Sequence, residues 1–121
     1  MKLVSQGIVM SQMGRTTTGV DINNNTTTAS ITNVTINGVA VTDVTFPVTA
    51  GNNANGYTDQ LGTYTIVVSY SSASGDYVRV TDTQLTVSCA NVVGSSRTFA
   101  GQVTNGYYES IIIEMGDGSC P

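Results

Sequence analysis

The chain has 121 residues, a net charge of −4, no His and no Trp, and only 10% charged residues, against roughly 25% in an ordinary soluble domain. Thr, Val, Gly, Ser and Asn fill 70 of the 121 positions, a mixture of strand and turn formers that excludes a helical bundle. The absence of His removes every imidazole-based catalytic scheme and the commonest transition-metal ligand. Lys2, Arg15, Arg79 and Arg97 are the only cations among eight acids, so a basic stripe for nucleic acid cannot be built.

Residues 1–10 carry one cation and an apolar stretch broken by Ser5, Gln6 and Gly7, which does not match the continuous h-region of a secretory signal. No segment approaches the ~18 apolar residues of a membrane span. Leu3, Val4, Ile8, Val9 and Met10 form a short strand-like stretch. After it, Thr16-Thr17-Thr18 and Asn23-Asn24-Asn25-Thr26-Thr27-Thr28 are polar runs with nothing to bury. Residues 1–28 therefore read as an N-terminal arm or long loop, ordered by a neighbour, and residues 29–121 as one β-domain.

From Ala29 onward strands and turns alternate. Thr32, Val34 and Ile36 share one parity, Asn37-Gly38 supplies a hairpin turn, and Val39 and Val41 continue beyond it. Val44, Phe46 and Val48 take the opposite parity, which places a bulge or corner near Thr42-Asp43. Pro47 points to an edge position. Gly51 to Gly62 reads as a polar loop. Tyr64, Ile66, Val68 and Tyr70 form a clean period-2 face, so these two tyrosines belong to the core. Val78 and Val80, then Leu85, Val87 and Cys89, make two half-buried strands, and residues 97–103 and 107–115 a last hairpin around Asn105-Gly106. The expectation is an all-β fold, an immunoglobulin-like β-sandwich of seven to eight strands with an extended N-terminal arm.

Candidate sites are few. Asp21, Asn23 and Asn25 have the spacing that opens a calcium loop, but Thr26 stands where Gly belongs and Thr32 where the bidentate acid belongs. Turn-forming side chains explain Asp59 and its neighbours Asn52, Asn53 and Asn55 without a metal. No metal and no cofactor is expected. Glu109 and Glu114 sit at odd spacing, on opposite faces of one strand, and cannot converge as acid and base. Tyr57, Tyr77, Tyr107 and Tyr108 remain as surface aromatics able to stack on sugar rings. Cys89 and Cys120 form either a disulfide, given an oxidising compartment, or two free thiols.

The strands lack the Lys and Pro that usually guard β-edges, and residues 65–69 and 110–113 are apolar and uncharged. Such segments call for cover by neighbours in an assembly. The stretches Val34-Thr35-Ile36-Asn37-Gly38-Val39, Phe46-Pro47-Val48 with Gly51, Gly62-Thr63-Tyr64-Thr65-Ile66-Val67-Val68, and Val87-Ser88-Cys89 together resemble immunoglobulin-like modules of tailed-phage particles and bacterial surface proteins. The resemblance spans about residues 30–90 and implies a binding or structural role with no catalytic residues. The expectation that follows is a non-enzymatic virion structural protein, a capsid decoration or head-fibre-associated subunit on the virion surface. Capsid or fibre subunits are its partners, and Leu3, Val4, Ile8, Val9 and Met10 anchor it. The alternative is a secreted adhesion or carbohydrate-binding module recognising glycans through its surface tyrosines.

Overall fold

The structure, a computed structural model, describes residues 17–60, 62–103 and 110–121. It contains nine strands and, among the described residues, no helix: β1 (Thr18–Asn25), β2 (Ser30–Ile36), β3 (Val39–Ala40), β4 (Asn53–Thr58), β5 (Thr63–Ser71), β6 (Asp76–Thr81), β7 (Val87–Asn91), β8 (Ser96–Val103) and β9 (Ser110–Asp117). They form two sheets, one of five strands in the order β4-β1-β9-β6-β7 and one of four in the order β3-β2-β5-β8. The inward residues of both sheets build one core. Val20, Ile22, Ile113 and Val80 come from the first sheet and Val34, Ile66 and Val68 from the second, all fully buried. The molecule is a β-sandwich. Its last two strands lie in opposite sheets, whereas the immunoglobulin arrangement keeps them side by side in one.

Several expectations hold in detail. Asn37 and Gly38 have φ of 52° and 79° and join β2 to β3 with Ile36 opposite Val39, the positive-φ pair that a two-residue hairpin needs. Tyr64, Ile66, Val68 and Tyr70 are buried along β5 while Thr63 faces solvent. Asp43 has a φ of 72° at the expected corner. Exposed Pro47, in a cis peptide bond with Phe46, precedes Val48, which bridges Ile31.

Other expectations are corrected. Residues 18–28 are not part of an arm: β1 lies between β4 and β9, antiparallel to the first and parallel to the second. Thr18, Val20, Ile22 and Asn24 point inward, and Asp21 and Asn23 outward. The candidate arm residues Leu3, Val4, Ile8, Val9 and Met10 lie outside the described residues. The polar stretch 51–62 is not wholly loop either, since Asn53–Thr58 forms β4 against β1. Gly56 permits this, because a Cβ there would run into the Thr42 carbonyl oxygen and the Val44 side chain, which pass over it.

No hairpin joins the last two strands, since β8 pairs with β5 while β9 fills the gap between β1 and β6. Residues 65–69 and 110–113 consequently belong to central strands, and both edges of those strands are paired within the chain. On β7 the expected parity is reversed. Ala90 and Val92 pack against the core, while Leu85 and Val87 are 46% and 57% exposed.

The polar run 23–28 buries what was expected to stay in water. Asn24 is fully buried at the crossing from β1 to β2. Its amide nitrogen donates to the carbonyls of Ala29 (2.8 Å) and Val48 (2.9 Å), and its Oδ1 accepts from the N–H (3.1 Å) and hydroxyl (2.7 Å) of Thr26. Its backbone bonds Asn52 and Gly51 as well. Asn24→Ala leaves these buried groups unpaired, and the expected loss is about 2–4 kcal/mol, measured by urea denaturation. A loss within about 0.5 kcal/mol, the range of an ordinary surface substitution, would contradict the role assigned to this amide.

Candidate functional site

The two outward faces of the sandwich differ in chemistry. On the five-stranded sheet the strand registers align side chains into rows. Asn53, Asn23, Glu114, Arg79 and Cys89 lie side by side across β4, β1, β9, β6 and β7, and the next row is Asn55, Asp21, Ile112, Thr81 and Val87. Glu114 anchors the first row. It forms an ion pair with Arg79 and accepts hydrogen bonds from the Tyr77 hydroxyl (3.2 Å) and the Asn25 amide (3.3 Å). Arg79 also lies 5.9 Å from the centre of the Tyr77 ring, within cation–π range.

The Tyr77 ring lies over Gly116, where a Cβ would collide with it. Burial, then the Glu114 carboxylate beside it, raises the Tyr77 hydroxyl pKa above its usual value. Tyr77 is therefore a half-buried structural aromatic whose hydroxyl is committed to Glu114. Tyr57, 39% exposed at the end of β4, stands opposite Gly19, whose lack of a side chain leaves the neighbouring surface open. Tyr107, Tyr108 and Glu109 lie outside the described residues. Asp21, Asn23 and Asn25, whose spacing opens a calcium loop but which read as part of a polar loop, are successive outward positions of a strand.

The outward face of the four-stranded sheet holds no charged side chain among the described residues. One row runs Ala40, Thr35, Val67, Thr98, and the next Asn33, Ser69, Ser96. Arg97 has the inward parity of Phe99 and does not belong to this face.

Cys89 and Cys120, 31 positions apart in sequence, are disulfide-bonded. The bond ties residues 118–121 to the outward side of β7. The Gly118 N–H donates to the Gly75 carbonyl (2.8 Å), and the Asn91 amide donates to the Gly118 carbonyl (3.2 Å). Nearby, Asp76 and Asp117 face each other at the ends of β6 and β9. Asp76 is 4% exposed and accepts from the Ser74 N–H (3.1 Å), and Asp117 accepts from the Thr27 N–H (3.1 Å). Burial pushes the Asp76 carboxyl up, the Ser74 bond opposes this, and the Asp117 carboxylate adds to the rise. Among the described residues, no group of three or more His, Cys, Asp or Glu side chains gathers as a metal site.

No protein-family model, curated protein or solved structure matches the chain. The sequence reading missed Asn24 and the Glu114–Arg79–Tyr77–Asn25 cluster. The alternation of Val20 and Ile22 was a signal for β1, and hence for the row that Asn23 and Asn25 belong to. Nothing in sequence signals that β9 lies beside both β1 and β6.

Two predictions follow from these contacts. A raised folded-state pKa means that folding favours the protonated Asp76 carboxyl. Its contribution is most favourable in acid and is lost as pH rises from the unfolded value of 3.8 through the higher folded one. Asp76→Asn is therefore expected to melt above wild type at neutral pH and to converge on it in acid, and a pH-independent difference would refute this. Reducing the Cys89–Cys120 bond is expected to cost about 3–4 kcal/mol by relaxing the loop constraint on the unfolded chain, read as a shift of the urea midpoint with and without reductant.

Proposed function

We propose that this protein is a non-enzymatic structural subunit, a β-sandwich module on the virion surface that serves as a capsid decoration or head-fibre-associated component. The observation that carries the reading is the outward face of the four-stranded sheet, built by Thr35, Val67, Ser69 and Thr98 and free of charge among the described residues. A solvated antiparallel face ordinarily presents polar and charged residues, whereas small, uncharged side chains suit close packing against another protein. The Cys89–Cys120 bond agrees with a working life outside the reducing cytosol. Residues 1–16 supply the proposed anchor, with Lys2 and Arg15 as cations and none of the chain's eight acids.

A second reading, a secreted glycan-binding module, is favoured by Tyr57 opposite Gly19 beside the Asn55–Asp21 and Asn53–Asn23 pairs, which combine a stacking surface with hydrogen-bonding amides and a carboxylate. The two readings separate on two variants. Thr98→Lys is expected to leave the fold intact and abolish co-purification with virus particles, while Tyr57→Ala leaves incorporation unchanged. Glycan-array binding lost on Tyr57→Ala, with no particle association of the wild type, would replace the first reading by the second.

A further inference from the structure

The four strand edges are not equally protected. β3 has two residues, and β4 is bridged by Thr42, which exchanges backbone hydrogen bonds with Tyr57 (2.8 and 3.0 Å). On β8 the pairing with β5 shifts register between Tyr64 and Ile66, beside Gly101 at a φ of 76°, a bulge of the kind that turns an edge away from partners. Among the described residues, β7 has none of these guards. It pairs with β6 through five residues in unbroken register, and Leu85, Val87 and Val93, three of the five large exposed hydrophobics among the described residues, lie on or beside it.

The hydrogen-bond phase of this edge is set by its ends. The Asp82 N–H donates to the Thr86 carbonyl (3.0 Å), and the Val92 N–H donates to the Asp76 carbonyl (2.9 Å). Thr86, Ser88, Ala90 and Val92 therefore turn their backbone groups toward β6, and strand alternation turns those of Val87, Cys89 and Asn91 outward. Beyond Asn91 the Tyr70 hydroxyl takes both backbone groups of Val93, donating to its carbonyl (3.0 Å) and accepting from its N–H (3.2 Å). The open edge is thus three residues with outward N–H and C=O groups, centred on Cys89.

We propose that β7 is a homodimer interface, in which β7 of a second copy pairs antiparallel across a two-fold axis at Cys89 and joins two five-stranded sheets into one. In this register Val87 meets the second copy's Asn91, Cys89 meets its equivalent, and Asn91 meets the second copy's Val87. All three outward-facing residues are then used, at two hydrogen bonds per pair. No other centre on the strand satisfies all of them. The same register brings exposed Leu85 toward the second copy's Val93 at each end.

Charge permits the pairing. Residues 83–96 contain no Asp, Glu, Lys or Arg, so a symmetric contact, which sets each residue against the same short stretch, brings no like charges together. The tail that carries Cys120 approaches on the β6 side, where the Asn91 amide donates to the Gly118 carbonyl and the Gly118 N–H donates to Gly75. This interface is separate from the four-stranded face and does not depend on the virion reading.

Analytical ultracentrifugation of the full chain tests it. The wild type is expected to be a dimer at tens of micromolar. Val87→Pro removes only an N–H that points away from β6, so it is expected to leave the circular dichroism spectrum unchanged and to weaken the dimer at least roughly tenfold in Kd. Leu85→Lys and Val93→Glu are each expected to weaken the dimer, and their combination to restore it by setting opposite charges against each other across the axis. A monomeric wild type overturns the proposal, as does a dimer indifferent to Val87→Pro. If Val87→Pro fails to fold, the charge pair decides: a double variant no tighter than the weaker single variant overturns it.

Discussion

Two sheets joined only by chain crossings need every crossing to satisfy the backbone groups that leave one ladder before they enter the next. In this sandwich six of the eight connections between consecutive strands change sheet, so the demand is severe. The buried amide of Asn24 meets it where it is greatest. That side chain sits on a strand of the five-stranded sheet and bonds Ala29, at the approach to β2, and Val48, which bridges β2 on the opposite sheet. All four of its hydrogen-bonding positions are used, and an amide supplies donors and acceptor together where no carboxylate could. The core packs around this point because Val20 and Ile22 are carried inward on the same strand as Asn24.

The consequence for the surface is a division of labour. Charge gathers on the five-stranded sheet, where Glu114 satisfies Arg79, Tyr77 and Asn25 at once, and among the described residues is absent from the outward face of the other sheet. An ion pair this exposed contributes little to stability, yet it gives the two faces different chemistry. The disulfide adds to the same distinction by holding the C-terminal residues on the outward side of β7. The candidate contact surfaces are therefore an uncharged face and an uncharged edge at different places on the sandwich.

Much of the fold was legible because period-2 alternation survives wherever a strand buries only one side. Tyr64 to Tyr70 is the clearest case, and Asn37-Gly38 the clearest turn. β1, apart from the alternation of Val20 and Ile22, and β4 were hidden because their sequences are dominated by Asn, Thr and Gly, residue types that usually mark loops. They become strands because their neighbours supply ladder partners and because Asn24 and Thr26 find buried partners that no local window contains. β7 misled for a related reason. Its larger side chains, Leu85 and Val87, face outward and the smaller Ala90 inward, so hydrophobicity alone assigned the wrong face. The apolar runs 65–69 and 110–113, which suggested open edges, lie in the middle of their sheets.

By itself the sequence determined the all-β class, the first hairpin, the central β5 face and the scarcity of charge, all of which depend on residue type and near-neighbour spacing. Only the tertiary structure decided that β1 belongs to the sandwich, that β8 and β9 part into opposite sheets, and that Cys89 meets Cys120. Those are contacts between residues far apart in the chain. Strand pairing is specified by which backbone edges remain unfilled once the whole sheet has assembled, and local pattern carries no record of that.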